Sequence, residues 1–258
     1  MSALRINLNA DVGESFGAWQ MGNDGELLHI IGSASIACGF HAGDPLVMRR
    51  TLRAALAAGV SVGAHPSFPD PQGFGRRPMQ IPPVELEAML IYQIAALAGL
   101  AQAEGGRLTH VKPHGALNNM ACEDARLANT VAAAVRSYDP ALILLAPALS
   151  QLLLAGETAG LRVVSEVFAD RTYTETGSLT PRRQPGSILH SADECVRHVL
   201  RMVAEGGIVS SSGRVIPAAF HSICVHGDSP AAVVAATAIR DALLAAGCRL
   251  VSLPELVA

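Results

Sequence analysis

The chain has 258 residues, half of them apolar and only 16% charged, with a formal net charge of −3. A chain of this size can bury about 70% of the surface its unfolded form exposes, so it needs no disulfide to hold a fold. Lys and Arg are spread along the sequence instead of massed in a block, which removes the electrostatic footprint of a nucleic-acid or anionic-membrane binder.

The five cysteines are odd in number and far apart, with no CxxC pair, so neither a thiolate zinc site nor a disulfide framework is indicated. The first residues lack the apolar run of a signal peptide. No stretch reaches the roughly 18 uninterrupted apolar residues of a membrane span. The apolar segment 88–103 carries Tyr92, Gln93 and Gln102 and reads as a buried helix. The cytoplasm is the expected compartment.

In chain order, a β-rich run over 5–10 leads into Asn9, Asp11, Glu14 and Ser15, and a second over 33–38 leads into Cys38, His41 and Asp44. A helix over 45–58 follows, opened by the capping pair Asp44-Pro45. The third strand, 60–64, runs into His65-Pro66-Ser67, and a helix spans 83–104. The fourth, 108–111, ends in Lys112-Pro113-His114-Gly115, followed by a helix over 123–137. Strands over 142–145 and 161–168 come next, the latter running from Glu166 to Asp170-Arg171. The stretch 170–190 is irregular, rich in Thr, Arg, Gly and Pro, and predicts an active-site loop. A helix over 192–205, a strand over 222–225 ending in His226-Gly227-Asp228, a helix over 231–246 and a strand over 248–251 complete the order.

Seven or eight repeats of strand then helix predict an α/β fold with a parallel sheet covered by helices. Closure into a distorted (β/α) barrel of seven or eight parallel strands suits the length and the lack of a linker, with residues 1–258 as one domain. An open doubly wound sheet has the same element order. In a barrel, all strand carboxyl ends share one face, so the polar clusters would meet in one pocket.

Each residue also has a plainer reading. Asp44 and Asp228 suit helix caps as well as ligand contacts. His29, His110, His190 and His198 lie in helices, strand bodies or the irregular loop and receive no role. His41, His65, His114 and His226 stand at strand ends beside Gly or Pro and are expected in the pocket. Lys112, at a strand terminus, is poorly placed for a merely solvated lysine; near carboxylates it would stay cationic and stabilise developing negative charge. Arg76-Arg77 and Arg182-Arg183 suit either a clamp on a carboxylate or phosphate or a solvated loop.

The same segments carry a resemblance. Leu8 to Ser15, Ile36 to Pro45, Gly63 to Ser67, Val111 to Leu117, Glu166 to Tyr173 and Val225 to Asp228 closely resemble the LamB/YcsF family, in order over essentially the whole chain. Asn118 departs from the pattern, which usually has tyrosine there. The resemblance implies a barrel similar to that of glycoside hydrolases and carbohydrate deacetylases. It also implies the A subunit of a prokaryotic 5-oxoprolinase, converting 5-oxo-L-proline to L-glutamate with ATP and Mg²⁺ beside subunits B and C. The sequence has no GxxxxGK[ST] loop, consistent with ATP bound mainly by the partners.

Within that reading, Asp11 with His65 would activate water, Lys112 and His41 would stabilise the oxyanion or leaving phosphate, and His114 or Glu14 would protonate the ring nitrogen. Asn9, Asp44, Glu166, Arg171, His226 and Asp228 would bind substrate. No resident metal is expected, and a homo-oligomer is compatible with the sequence. Two rivals fit the same residues: a metal-dependent deacetylase or amidohydrolase using Asp11, His41 and His65, and a non-catalytic lactam-binding subunit.

Overall fold

The computed structural model describes residues 3–227 and 229–258. Its strands are β1 (Arg5–Val12), β2 (Ser33–Ala37), β3 (Ser61–His65), β4 (His110–Val111), β5 (Ile143–Pro147), β6 (Arg162–Phe168), β7 (Gly207–Val209), β8 (Val215–Pro217), β9 (Ser222–Cys224) and β10 (Arg249–Leu250). β1 to β6 pair in sequence order, and β9 pairs with both β6 and β1, which closes a ring of seven parallel strands. The eighth parallel strand, β10, lies outside the ring. It takes the edge of β1 below β2: the Leu4 and Ile6 carbonyls accept from Arg249 and Val251, and the Leu8 carbonyl from Gly32. β7 and β8 form a separate antiparallel hairpin.

Strand residues alternate between faces, and the sequence uses the two faces differently. Leu8, Ala10 and Val12 of β1, Ala34 and Ile36 of β2, and Val62 and Ala64 of β3 join the apolar layer under the helices. Inside the ring the same strands present Asn7, Asn9 and Asp11, Ser33 and Ser35, and Ser61 and His65. The lower polar layer is bonded to itself: Asn7 Nδ2 donates to Ser33 Oγ at 2.9 Å, Ser33 and Ser61 hydroxyls lie 2.7 Å apart, and Ser222 Oγ donates to Asn7 Oδ1 at 2.8 Å. Buried polar groups satisfied in this way fix register. The other side of the base is apolar: Ile143, Leu145 and Val164 pack on Leu253 at the start of a short closing helix, and Leu253 N–H donates to Ser33 Oγ at 3.0 Å. The amino-terminal end of the barrel is therefore filled.

The helices are α1 (Asp24–Leu27), α2 (Pro45–Ala57), α3 (Pro83–Ala103), α4 (Gly115–Glu123), α5 (Ala125–Tyr138), α6 (Gln151–Thr158), α7 (Ala192–Glu205), α8 (Pro230–Ala245) and the closing helix α9 (Leu253–Leu256). α3 is long and apolar enough to cross a membrane by length and composition, yet it is part of the barrel wall. Leu86, Leu90, Ile94, Leu97 and Ala101 recur every three or four residues and face the core. Its buried Gln93 clamps Ser67, accepting from the backbone N–H at 2.9 Å and donating to the carbonyl at 3.0 Å. α7 begins with a Ser191/Glu194 capping box and ends at left-handed Gly206.

Several elements escape the sequence reading. The run expected as one helix over 123–137 is preceded by α4 and starts at Asp124, whose carboxylate caps α5 by accepting from Arg126 and Leu127. α1, α6 and α9 are too short to show periodicity. The β7–β8 hairpin turns through Ser210, Ser211, Ser212 and Gly213, a turn signal between two apolar pairs that short-range reasoning could have found.

Candidate active site at the barrel rim

β1, β3, β4, β6 and β9 deliver their last inward residues to one place. Lys112, directly after β4, is 2% exposed and sits at the centre. Its Nζ is 3.1 Å from Asp11 Oδ1, 3.1 Å from Glu166 Oε2, 3.0 Å from Asn9 Oδ1 and 3.2 Å from Cys224 Sγ. Burial works against the ammonium, but Asp11, Cys224 and Glu166 hold its pKa well above the usual lysine range. Asn9 in turn donates to Glu166 Oε2 at 3.1 Å and Ser222 Oγ at 2.8 Å, so it fixes the acceptor geometry around the lysine.

A second group of side chains adjoins this one through Asp11. His65 Nε2 is 3.3 Å from Asp11 Oδ2, and His114 Nδ1 is 2.9 Å from His65 Nε2. The His41 ring stacks on His114 with centroids 3.8 Å apart, and Glu14 Oε1 lies 3.2 Å from His41 Nε2 and 3.5 Å from His114 Nδ1. Outer nitrogens are anchored by backbone: His65 Nδ1 donates to the Lys112 carbonyl at 2.6 Å, and His114 Nε2 to the Phe74 carbonyl at 2.8 Å.

Burial pulls His41 and His114 well below the usual histidine range, with neighbouring imidazoles adding to the effect. It also pushes Glu14 up, against the pull of His114 and His65. Glu166 is raised by burial despite Lys112, and its Oε1 has no hydrogen-bond partner among the described residues. For Asp11, burial is outweighed by His65 and Lys112, which hold its carboxyl well below the usual range. The rim thus moves the pKa of Asp11 down and those of Glu14 and Glu166 up, the separation that acid–base chemistry needs.

His226 stands on the β9 side, with donor atoms of Asp11, Cys224 and His226 all within 4.8 Å of one another. Its Nδ1 is 2.7 Å from Asp170 Oδ2. A cavity of about 260 Å³ opens beside this pair, lined in part by Arg76, Arg182 and His190. Arg76 and Arg182, one from each arginine pair, therefore reach the same opening. Arg77 instead pairs with Asp70.

Other sequence expectations resolve differently. Asp44 caps α2, its Oδ1 accepting from Leu46 at 2.8 Å, while its Oδ2 accepts from Gly17 N–H at 2.7 Å, so it ties a loop to a helix. Arg171 is buried and donates to the Ser187 carbonyl at 3.2 Å and the Thr180 carbonyl at 2.7 Å, which pins the irregular loop. Asp228 lies outside the described residues. Asn118 is buried in α4 with its Oδ1 unpartnered among the described residues. His110 is a packed neutral histidine, driven to about 3 by burial and then by Lys112, with its ring against Gly63 where a side chain would clash.

Phe74 and Cys224 were missed. Phe74 is a non-glycine residue at φ 53°, and its ring meets His41 and His114 edge-on. The flanking glycines Gly73 and Gly75 were its only sequence signal. Cys224 entered the sequence reading only as one of five widely spaced cysteines; its place two residues before His226, on the strand face that meets Lys112, was its signal.

Fold and site together define a β/α-barrel protein with a buried acid–base centre at the carboxyl rim of its strands. The chain belongs to the LamB/YcsF family, whose model matches residues 6–258. It is 64% identical over 253 residues to the A subunit of 5-oxoprolinase from Azoarcus sp. (strain BH72), covering 98% of this chain and 99% of that one. It is 53% identical to the A subunit of 5-oxoprolinase from Methylococcus capsulatus over 95% of this chain and 94% of that one. The crystal structure of a lactam utilization protein from Thermus thermophilus superposes with a TM-score of 0.91 at 43% identity, covering 96% of this chain and 100% of that chain. The catalytic domain of a peptidoglycan N-acetylglucosamine deacetylase from Eubacterium rectale is similar in fold alone, with a TM-score of 0.50 at 13% identity over 98% of this chain and 89% of that one.

Proposed function

We propose that this chain is the A subunit of an ATP-dependent 5-oxoprolinase and that its barrel rim opens the ring of 5-oxo-L-proline to give L-glutamate. The observation that carries the reading is the buried Lys112 ammonium clasped by Asp11, Glu166 and Asn9, in a chain so similar over its full length to proteins of that name.

A five-membered lactam is a weak electrophile. In this reading subunits B and C use Mg²⁺-ATP to phosphorylate the amide oxygen; this chain directs water to the ring carbon, the carbon–nitrogen bond of the adduct breaks as the nitrogen takes a proton, and a second water releases phosphate from the resulting acyl phosphate to leave glutamate. Asp11, kept ionised, takes the proton from water, and His65 beside it orients that carboxylate. Lys112 faces the charge that develops on the tetrahedral carbon's oxygen, with His41 as a further donor. Glu14, its carboxyl pKa raised by burial, gives a proton to the ring nitrogen. Asn9, Glu166 and His226 position the substrate, while Arg76 and Arg182 offer its carboxylate or the phosphoryl group a cationic wall.

Reconstitution tests the reading. The chain is mixed with candidate B and C subunits, 5-oxo-L-proline, Mg²⁺ and ATP, and glutamate release is followed as each component is omitted. Release that requires every component is expected. Undiminished release without this chain, or none from the full mixture with competent partners, overturns it.

A further inference from the structure

His65 and His114 meet in an arrangement that two neutral imidazoles cannot hold. A carbonyl oxygen only accepts, so the contacts of His65 Nδ1 with the Lys112 carbonyl and of His114 Nε2 with the Phe74 carbonyl put each ring's proton on its outer nitrogen. The inner nitrogens, 2.9 Å apart, then point lone pair at lone pair. A positive centre has to lie at that junction. A shared proton would answer for these two nitrogens alone, yet a third imidazole and a carboxylate converge on the same point. The donor atoms of Glu14, His41, His65 and His114 all lie within 4.8 Å of one another.

The surroundings are those of metal ligands. Histidines that bind metal almost always donate their other ring N–H to a carbonyl or carboxylate, which fixes tautomer and orientation. Here the Phe74 carbonyl is presented by a residue held at φ 53°, backbone strain of the kind that persists where the surroundings impose it. An ion ~2.05 Å from each of two nitrogens so spaced would see them at about a right angle, which suits five- or six-coordination better than a tetrahedron. Glu14, 3.5 Å from His114 Nδ1 and 3.2 Å from His41 Nε2, brings a carboxyl oxygen to the same point.

We propose that Glu14, His41, His65 and His114 form a binding site for one divalent first-row transition-metal cation at the barrel rim. The bonds formed are donations of existing nitrogen and oxygen lone pairs, and any proton at the junction leaves to solvent as the ion enters. The site goes beyond the ring-opening reading and does not rest on it, because binding is measured on this chain alone; with the ion bound, Glu14 and His41 would act as ligands and not as the proton donors named above. An ion here would stand beside Asp11, whose Oδ2 is 3.3 Å from His65 Nε2.

The test titrates the purified, chelator-treated full chain with Co²⁺, followed by visible ligand-field absorption and by calorimetry, with Zn²⁺ and Mn²⁺ in competition. One equivalent is expected, with a nitrogen-ligand spectrum. Glu14→Gln and His65→Ala should each weaken binding at least about tenfold, since even the outer partners of metal ligands are worth about 10–100-fold. His29→Ala, an exposed histidine that lines no described cavity, should leave binding unchanged. Glu14→Gln keeps shape and volume, so it remains informative if His65→Ala fails to fold. The proposal is overturned if Co²⁺ does not bind, or binds undiminished in Glu14→Gln. It is equally overturned if nitrogen-15 spectra of the cation-treated protein still show a proton between His65 and His114.

Discussion

Lys112 has no slack: its ammonium touches four acceptors and is shut off from water. Lys112→Ala should lower glutamate release in the reconstituted system by at least about 10²-fold, the lower bound for a positioned charged or acid–base group. Circular dichroism must show the fold intact, and near-normal turnover would take the residue out of the reaction. The His226–Asp170 pair makes a separate statement about pH. Burial opposes the His226 cation, but Asp170 raises its pKa above the ordinary value, so its contribution to stability is whole below the ordinary histidine range and fades as pH rises through the raised value. Burial also opposes the Asp170 anion, but His226 lowers its pKa, so that contribution is whole above the ordinary carboxylate range and fades as pH falls through the lowered value. Melting temperature measured against pH should therefore lose its alkaline decline in His226→Asn; superimposable profiles for variant and wild type would refute the pairing. At this scale the sequence was informative wherever a polar residue ended an apolar strand, as at Asp11, His65 and Lys112. It did not show the backbone bonds of Asp44 and Arg171, because a side chain's partners in a loop are groups that no pattern of residue types records.

Among the elements, the Gly73–Arg77 turn couples backbone shape most directly to the site. Gly75 has φ +62°, and a Cβ there would meet Ser67 Oγ, His114 at 2.8 Å and His41 at 2.9 Å. Gly75→Ala should cost about 1–2 kcal/mol from the left-handed backbone alone, with a further loss from displaced imidazoles. Urea unfolding measures the first, and a drop in glutamate release larger than the stability loss explains would register the second. The start of α2 offers a contrasting case. Asp44→Ala should destabilise the protein by about 1 kcal/mol as a lost cap, and Asp44→Asn should restore most of it. A large rise in KM with unchanged stability would show instead that Asp44 meets substrate. Caps and long apolar faces made α2, α3, α5, α7 and α8 legible. α4 was not, since it opens on Gly115, has no side-chain cap and carries the weak helix formers Asn118 and Asn119 at its centre.

At the scale of the molecule, the order of strands was readable because each apolar run ends in polar residues and is followed by a helix. Closure was not readable from periodicity, because it depends on β9 finding β1 across more than two hundred residues. The filled base was hidden too, since Leu253 belongs to a helix of four residues. Leu253 is fully buried, and Leu253→Ala should cost about 2–5 kcal/mol, visible as a lower melting temperature; a shift within error would mean the stopper is not part of the cooperative unit. That stopper also governs traffic. With Ile143, Leu145, Val164 and Leu253 packed at the far end, the base of the cylinder offers no passage among the described residues, and the carboxyl rim is its doorway. Whatever enters over Asp11 and His226 must back out the same way, so a companion seated on the doorway would have to lift with every turnover.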